Sequence, residues 1–347
     1  MKAITFQDNK KIQYTDIPEP SIIDQGDVIV KTTSTSICGS DLHVYHGREK
    51  GIDTGTVMGH EFTGKVVETG STVKSFKTGD HVVSPFTINC GACYFCKVGL
   101  TARCEKSQLF GWVAKGKGLQ GAQAEYVRVP MADSTLVKIP DHIQTKYALL
   151  AGDILSTGYF CAEMAEVKKE HSYVILGCGP VGLLAILGAF ELGANKVYAI
   201  DSAGYRLDVA KKLGAIPVRL ENNTPEMIAE LTHGIGFDSV LEAVGSPEAQ
   251  MLAYEIVRPG GIIATVGVHT SSNFSFSPVD AYNKNITFKI GRCSARHYME
   301  ILMPKIEKWT NELNRVITHE LPLNKGVDAY HIFDQKLDNC IKIILLP

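Results

Sequence analysis

The sequence of 347 residues predicts an α/β protein in two parts, on the basis of two observations. Residues 1–150 contain short β-type runs such as DVIVKTTST and EYVRVP, separated by glycine, proline and asparagine, with little helical periodicity. From about Ser172, strand-like runs alternate with helix-like runs, beginning with VIL and VGLLAILGAFELGA. Such alternation specifies a parallel sheet covered by helices on both faces. We therefore expect a β-rich, barrel-like first domain and a doubly wound second domain.

Length and composition bound the possible functions. A chain of 347 residues exceeds the size at which single cores stop growing, so two domains are expected. The formal net charge of −2, with acidic and basic residues well mixed, does not favour nucleic acid or a membrane surface as a partner. The N-terminus resembles no secretory signal, and no uncharged run is long enough to span a membrane, so a cytoplasmic protein with a small-molecule partner is predicted.

The alternating pattern continues through FDSVLEAV, PEAQMLAYEIV and GIIATVGV and then weakens after about Gly291. The tail from roughly Arg292 to Pro347 could therefore rejoin the first domain. No repeat and no low-complexity linker separates the two patterns, so the boundary near Asp153 is expected to be short and ordered.

The stretch VILGCGPVGLLA predicts a dinucleotide site. Gly177, Gly179 and Gly182 form a GxGxxG pattern between a strand and a helix, where glycine allows a tight turn, close approach of a pyrophosphate and close helix packing. Asp201 ends the next strand-like run 19 residues after Gly182, near the offset of about 20 at which an acid binds the adenosine ribose. Because Asp201 would repel a 2′-phosphate, NAD(H) is favoured over NADP(H), although Arg206 could instead meet a phosphate. The alternative is a glycine-rich turn with a surface aspartate.

Nine cysteines in a long chain without a signal favour metal ligation over disulfides. NCGACYFCKVGLTARC carries four of them, Cys90, Cys93, Cys96 and Cys104, in one CxxCxxCx7C array. Four thiolates can close a tetrahedron around Zn²⁺ with no position left for substrate, so a structural zinc site is predicted. The alternatives are an iron–sulfur cluster, a nucleic-acid-binding zinc ribbon and four unliganded thiols.

Cys38 and His60 could ligate a second metal ion, and Asp153 is a carboxylate in apolar surroundings that a cation, a helix N-terminus or a metal could pair with. Cys38 lies in SICGSDLHVYHG, His60 in VMGHEFTGKVVETG, and Asp153 in the apolar run YALLAGDILSTGYFCAE. Taken singly, each has a structural explanation: a buried thiol, a hydrogen-bonded histidine and a helix N-cap at Ile154. Taken together, a thiolate, an imidazole and a third ligand would leave a zinc ion the open fourth position that catalysis needs.

These motifs together resemble the zinc-dependent medium-chain alcohol dehydrogenases over nearly the whole chain. The resemblance is carried by ICGSDLHVYHG, GHEFTGKVVETGSTVKSFKTGDHV, the four-cysteine array, GCGPVGLLA and AIDSAGYRLDVAKKLGA. It implies a GroES-like β-barrel catalytic domain over residues 1–153 and 291–347 and a Rossmann cofactor domain over residues 154–290. It also implies an active site in the cleft between these domains.

The resemblance implies roles for the candidate residues. Cys38, His60 and Asp153 match the ligands of a catalytic zinc, and Cys90, Cys93, Cys96 and Cys104 match those of a structural zinc. Glu61 matches a glutamate that can approach the catalytic zinc, and Asp41 matches the acid that orients the histidine ligand. Ser40 matches the hydroxyl that receives the alcohol proton, and His43 matches the outer end of that proton relay.

Further positions match the cofactor and substrate sites of the family. Thr157 falls beside the nicotinamide, and Lys342 falls near a basic residue that meets the pyrophosphate. The remaining matched cofactor positions are Pro180, Val181, Val244 and Val266. Phe86 and Trp112 match aromatic residues that line the substrate pocket, although each could be ordinary core.

The residue at the third ligand position, Asp153, indicates which substrate class to expect. Asp153 together with Gly111–Trp112 resembles the microbial secondary alcohol dehydrogenases, so a secondary alcohol or ketone is expected. Polyol and formaldehyde dehydrogenases are the alternatives within the family, and the compact chain resembles its tetrameric members. A protein that binds NAD and zinc without catalysing a reaction is the alternative from another class.

Overall fold

A computed structural model describes residues 1–347. The strands are β1 (Lys2–Asp8), β2 (Lys11–Asp16), β3 (Val28–Ser36), β4 (Phe62–Thr69), β5 (His81–Ser84), β6 (Trp112–Ala114), β7 (Lys117–Leu119), β8 (Tyr126–Val129), β9 (Val137–Lys138), β10 (Ser172–Leu176), β11 (Lys196–Asp201), β12 (Ile216–Arg219), β13 (Phe237–Glu242), β14 (Val257–Thr265), β15 (Thr287–Ile290), β16 (Ile317–Pro322) and β17 (Lys342–Leu346).

The helices alternate with strands mainly in the second half of the chain. They are α1 (Asp41–Tyr45), α2 (Tyr94–Lys97), α3 (Ala132–Thr135), α4 (Thr145–Ala151), α5 (Ile154–Met164), α6 (Pro180–Glu191), α7 (Gly204–Lys212), α8 (Thr224–Leu231), α9 (Pro247–Ile256), α10 (Pro278–Lys284), α11 (Ala295–Leu302), α12 (Thr310–Val316) and α13 (Gly326–Gln335). Short 3-10 turns occur at Thr101–Arg103, Met303–Lys305, Leu323–Lys325 and Leu337–Asn339. None of the helices combines the length and apolar character needed to cross a membrane.

The chain divides into two compact units. One contains Met1–Ser156 together with Ser294–Pro347, and the other contains Thr157–Cys293. The first unit is therefore built from both ends of the chain.

The first unit is organised around a seven-stranded sheet. Its strands run in the order β16-β17-β3-β4-β5-β9, with β8 also paired to β3. The pairs are antiparallel except for β16 and β17, which are parallel. Alternating apolar residues such as Val28, Val30, Phe62 and Val66 pack into one buried core, as expected for a sheet with one covered face.

A second core of this unit joins the N- and C-terminal segments. Ile4 and Phe6 of β1 pack with Tyr330 and Phe333 of α13 and with Leu345 of β17. These contacts hold α13 against the β-rich half of the chain, although 326 positions separate Ile4 from Tyr330 (330 − 4).

The second unit contains a six-stranded sheet in the order β12-β11-β10-β13-β14-β15, with every pair parallel. Counted from β10, this is the 3-2-1-4-5-6 order of a doubly wound sheet. The central strand, β10, is almost continuously apolar and buried, as a strand covered on both faces requires. The α/β fold class predicted from the sequence is therefore confirmed.

Candidate metal sites and dinucleotide motif

Strand register brings Cys38 and His60 together. Strands β3 and β4 pair antiparallel with Thr35 opposite Phe62. Cys38 lies just beyond the end of β3 and His60 just before the start of β4, so both occupy the same end of this strand pair. Asp153 joins them from the residue immediately before α5, 115 positions along the chain from Cys38.

The three side chains converge on one point. The Cys38 Sγ lies 3.3 Å from the Asp153 Oδ2, and the His60 Nε2 lies 3.2 Å from the same oxygen. With Glu61 included, the candidate ligand atoms all lie within 4.8 Å of one another. We refer to Cys38, His60, Glu61 and Asp153 as the mixed-ligand cluster.

Electrostatics in this cluster favour a bound cation. Burial, followed by the nearby Asp153 and Glu61 carboxylates, raises the pKa of the Cys38 thiol to about 11. Burial lowers the pKa of His60, but Asp41 and Asp153 outweigh it, so the net shift is upward. Burial raises the pKa of Asp153, but its contact with His60 reverses this and the net shift is downward. A divalent cation that bound here would displace protons from Cys38 and His60, and the S, N and O donors suit Zn²⁺.

Asp41 fixes the orientation of both ligands. Its Oδ1 lies 3.3 Å from the His60 Nδ1, and its Oδ2 accepts a hydrogen bond from the Cys38 backbone N–H at 2.9 Å. Because Nδ1 faces Asp41, the other ring nitrogen of His60 faces Asp153 and Cys38. This arrangement of a carboxylate behind a ligating histidine is typical of zinc sites.

Lys342 has a different partner from the one predicted. Its ammonium lies 2.6 Å from the Glu61 Oε2 and donates to the Ile37 carbonyl at 3.0 Å, and the side chain is fully buried. Strand β17 lies inside the sheet between β16 and β3, so its first residue, Lys342, points into packed protein. Ser36 also donates to Glu61 through its hydroxyl. The sequence could not reveal this pairing, because 281 positions separate Glu61 from Lys342.

Ser40 immediately precedes α1 beside the cluster, and His43 lies within that helix. The Ser40 Oγ lies 3.3 Å from the His60 Nε2, beside the candidate ligand atoms. The His43 Nδ1 is buried without a hydrogen-bond partner. Burial, followed by the charge of Arg48, lowers the pKa of His43, so its imidazole is neutral near pH 7 and can accept a proton.

The two predicted pocket aromatics differ in their surroundings. Phe86 is 6 % exposed, and its ring meets the His60 ring edge-on with the ring centroids 6.4 Å apart. Trp112 begins β6 and packs, partly buried, against the core that contains Met58 and Leu42. Phe86 therefore borders the mixed-ligand cluster directly, whereas the described contacts of Trp112 are with the core.

The four cysteines of the array also meet. The Sγ atoms of Cys90, Cys93, Cys96 and Cys104 all lie within 4.8 Å of one another, close to the roughly 3.8 Å between sulfurs around a tetrahedral zinc. We refer to them as the four-cysteine cluster. Backbone N–H groups point at the sulfurs: Cys90 donates to the Cys104 Sγ at 3.2 Å, and Lys106 donates to the same atom at 3.3 Å.

The thiols of this cluster differ in acidity. Backbone N–H groups of Glu105 and Cys96 lower the pKa of Cys93 to about 6. Burial and the adjacent Cys93 raise the pKa of Cys96 to about 12. The Cys93 thiol therefore ionises readily, whereas the Cys96 thiol keeps its proton. Two thiolates this close repel one another unless a cation lies between them. The donor set fits a tetrahedral Zn²⁺ with no open position.

In the second unit the glycine motif forms a turn from β10 into α6. A Cβ on Gly182 would lie 1.8 Å from the Gly177 carbonyl oxygen, so only glycine permits this helix to approach the strand so closely. Pro180 begins the helix, where its missing N–H costs nothing, and Val181 follows it in the first turn.

Asp201 ends β11 beside this turn. Its carboxylate accepts hydrogen bonds from the backbone N–H groups of Cys178 at 2.7 Å and Ala203 at 2.8 Å. The guanidinium of Arg206 approaches the same turn, since its Nη1 is 3.9 Å from where a Cβ on Gly179 would be. A carboxylate and a guanidinium thus both lie beside the glycine turn.

A carboxylate that the sequence analysis missed organises the next loop. Glu242 is fully buried at the end of β13, and its Oε1 accepts hydrogen bonds from Val244 and Gly245 N–H at 2.7 Å each. The His269 Nε2 lies 3.1 Å from its other oxygen. The signal in the sequence was a glutamate at the end of an apolar strand-like run.

The other predicted cofactor residues lie in different places. Val244 is 48 % exposed, Val266 follows β14, and Thr157 lies in α5 four residues after Asp153.

Comparisons with known proteins agree with this arrangement. Residues 24–141 match the family model described as "Alcohol dehydrogenase GroES-like domain", and residues 180–308 match the one described as "Zinc-binding dehydrogenase". A relative from Aspergillus flavus named "Zinc-type alcohol dehydrogenase B" is 42 % identical over 96 % of this chain and 79 % of its own length.

Two further comparisons cover the whole chain. An uncharacterized zinc-type alcohol dehydrogenase-like protein from Bacillus subtilis is 37 % identical over 100 % of both chains. The solved structure of an alcohol dehydrogenase from Thermus sp. ATN1 is 36 % identical, with a TM-score of 0.93 over 100 % of this chain and 99 % of the other.

Proposed function

This chain belongs to the zinc-dependent medium-chain alcohol dehydrogenase family, and we propose that it transfers hydride between NAD(H) and a secondary alcohol or ketone. The observation that carries this proposal is the convergence of Cys38, His60 and Asp153: the Cys38 Sγ and the His60 Nε2 lie 3.3 Å and 3.2 Å from the Asp153 Oδ2. These three residues would hold a catalytic zinc. When bound there, zinc acts as a Lewis acid that makes an alcohol hydroxyl more acidic and polarises a carbonyl.

The chain's own side chains supply the proton path. The Ser40 hydroxyl lies at the candidate ligand atoms and can accept a proton at Oγ from a substrate hydroxyl while donating its own. The His43 Nδ1 is buried without a hydrogen-bond partner, so this imidazole is a candidate acceptor for a proton released at the site. The lowered pKa of His43 keeps its imidazole neutral near pH 7, so one ring nitrogen remains available to accept a proton.

The four-cysteine cluster supports a structural zinc within the same proposal. Four thiolates leave a metal ion no position for substrate, so this site would stabilise its loop without taking part in catalysis.

The glycine turn and Asp201 support NAD(H) as the hydride carrier. A carboxylate at the end of β11 can hydrogen-bond the ribose hydroxyls, and it repels a 2′-phosphate. Arg206 is the competing feature, and it becomes important if the enzyme accepts NADP(H) as well.

The position of Phe86 favours a substrate that has an apolar side. Its buried ring borders His60, so one wall of the pocket next to the cluster is hydrophobic. A wall of this kind favours a ketone or secondary alcohol over a polyol, whose hydroxyls would lose hydrogen bonds against it.

A homotetramer is part of the proposal. Strand β15 forms an edge of the six-stranded sheet, and Ile290 on it is 51 % exposed. An edge strand with an exposed apolar residue can pair with another copy of the chain.

The proposal is tested by following NADH consumption over ketones, aldehydes and keto-sugars, and NADH formation from NAD over polyol phosphates. We expect the highest kcat/KM with ketones, and little activity when NADPH replaces NADH. A clear preference for keto-sugars would favour the polyol alternative. Equal trace activity on every substrate would contradict the dehydrogenase proposal and favour a protein that binds NAD and zinc without catalysis.

A further inference from the structure

One buried side chain, Gln123, lies beneath both segments that carry the cluster ligands. Its backbone is held at both ends: its N–H donates to Met58 at 2.9 Å, and its carbonyl accepts from Ile4 at 2.8 Å. The residue is fully buried. A buried amide held this firmly can brace neighbouring segments if its polar atoms are bonded to them.

The amide group contacts the Cys38 segment. The Gln123 Nε2 donates to the Ser36 carbonyl at 3.0 Å, two residues before Cys38. The same nitrogen is 3.5 Å from the Asp41 Oδ2, at the outer limit of a hydrogen bond. Since that Asp41 oxygen also accepts from the Cys38 N–H, Gln123 borders the groups that fix the thiol ligand.

The aliphatic part of Gln123 supports the His60 turn. Gly59 has a φ of +85°, and a Cβ placed on it would lie 2.5 Å from the Gln123 Cγ. The turn that presents His60 therefore rests directly on this side chain. Cys38 and His60 thus share one support, although they come from different strands.

Tyr330 determines how Gln123 is oriented. Its hydroxyl, fully buried on α13, donates to the Gln123 Oε1 at 3.0 Å. Because the amide oxygen receives this bond, the amide nitrogen must face Ser36 and Asp41. Without the Tyr330 hydroxyl, the Gln123 amide could rotate and place its oxygen against the Ser36 carbonyl and the Asp41 carboxylate, which are also acceptors.

We propose that Gln123 and Tyr330 are positioning residues that hold Cys38 and His60 at the separation a metal ion requires. This inference rests on the proposed function, because it presumes a metal ion in the mixed-ligand cluster. Neither residue contacts the candidate ligand atoms, so both act through Ser36, Asp41 and the Gly59 turn. Residues behind metal ligands commonly change metal affinity by about 10–100-fold when altered.

The test compares Tyr330→Phe and Gln123→Met with Tyr147→Phe as a control. Tyr147 is also a buried tyrosine of the first unit whose hydroxyl donates to an amide, the Asn314 Oδ1 at 3.2 Å. Two properties are measured: the rate at which a chromophoric chelator removes zinc, and the d–d absorption of the Co²⁺-substituted protein. Cys38→Ser identifies the release phase that belongs to the mixed-ligand cluster.

We expect that phase to accelerate about threefold in Tyr330→Phe and about tenfold in Gln123→Met, with shifted Co²⁺ bands and no change in Tyr147→Phe. If Gln123→Met fails to fold, Tyr330→Phe, which removes a single oxygen atom, decides the question. Unchanged release and spectra in Tyr330→Phe would overturn the inference while leaving the proposed function intact. A wild-type protein with no zinc phase assignable to Cys38 would instead overturn the proposed function.

Discussion

The two candidate metal-binding clusters of the first unit are built in opposite ways. The four-cysteine cluster takes its ligands from 15 consecutive residues, and three of its four cysteines are partly exposed. The mixed-ligand cluster takes its ligands from segments up to 115 positions apart, and His60, Glu61 and Asp153 are buried. Backbone N–H groups support the sulfurs of the first cluster, whereas charged side chains surround the second.

This difference separates a site that stabilises a loop from a site suited to catalysis. Four thiolates fill the coordination sphere of a metal ion, and nearby backbone N–H groups donate hydrogen bonds to the sulfurs. Such a site requires few contacts with the rest of the protein. In the mixed-ligand cluster, Cys38, His60 and Asp153 are the proposed ligands, while Asp41 contacts His60 and Lys342 pairs with Glu61. Buried charges are costly and are retained where they hold a functional geometry.

Loss of the four-cysteine cluster should have the largest effect on stability. In Cys96→Ser the local zinc site loses a ligand, and zinc binding contributes many kcal/mol to small sites of this kind. We expect the apparent Tm to fall by about 10 °C or more in differential scanning calorimetry. Cys340→Ala, at a buried cysteine of the same unit outside both clusters, is the control and should shift Tm by only a few degrees. An unchanged Tm in Cys96→Ser would remove the structural role of this cluster.

Lys342→Met tests whether buried charge supports the mixed-ligand cluster. Removing the ammonium leaves Glu61 buried without its cation, which typically costs about 3–5 kcal/mol in the free energy of unfolding. The Glu61→Gln/Lys342→Met double variant should recover part of that loss, and urea unfolding measures both. If Lys342→Met instead weakened NADH binding with its stability unchanged, Lys342 would belong to the pyrophosphate site.

Asp41→Asn tests the carboxylate behind His60 and Cys38. The neutral amide cannot stabilise the imidazole in the same way, so we expect zinc affinity at the mixed-ligand cluster to fall about 10–100-fold. Chelator competition measures this affinity, and the four-cysteine site should be unaffected. Asp27→Asn is a matched control, since Asp27 is a buried acid of the same unit that pairs with Arg128. If Asp41→Asn and Asp27→Asn bound zinc at the mixed-ligand cluster with the same affinity, Asp41 would have no part in holding the metal ion.

Asp238 belongs to a polar network of the second unit, outside both candidate metal clusters. Its substitution measures how much such a network contributes to the free energy of unfolding. Burial raises its pKa, but the Ser172 N–H and the Arg258 guanidinium at 2.8 Å outweigh burial and hold the pKa below its usual range. A lowered pKa stabilises the fold above the ordinary aspartate value, and this contribution is lost as pH falls through the folded pKa. Asp238→Asn should therefore cost about 1–2 kcal/mol at pH 7 and less at pH 3 in urea unfolding. A difference from wild type that did not depend on pH would contradict the charged pairing.

The fold could be predicted because its signals are local. The apolar run of β10, the glycine turn and the regular alternation up to β14 are each visible within about 20 residues. The four-cysteine cluster was predicted from spacing for the same reason.

The mixed-ligand cluster could be assembled from the sequence only through resemblance to a family. Spacing cannot join Cys38 to Asp153, because the β3–β4 register and the start of α5 bring them together. Lys342 was assigned to the pyrophosphate through the same resemblance, with an exposed lysine as the alternative, whereas its side chain is fully buried and pairs with Glu61. Gln123 and Tyr330 gave no signal, since 207 positions separate them and neither is a typical metal ligand.

The central claim is that the mixed-ligand cluster holds the zinc ion on which turnover depends. Zinc per chain, measured by plasma mass spectrometry in wild type and Cys38→Ser alongside NADH-linked ketone reduction, tests it most directly. We predict two zinc ions in wild type, one in Cys38→Ser, and a loss of activity of about 1,000-fold or more in the variant. One zinc ion in both proteins, with equal activity, would contradict the claim.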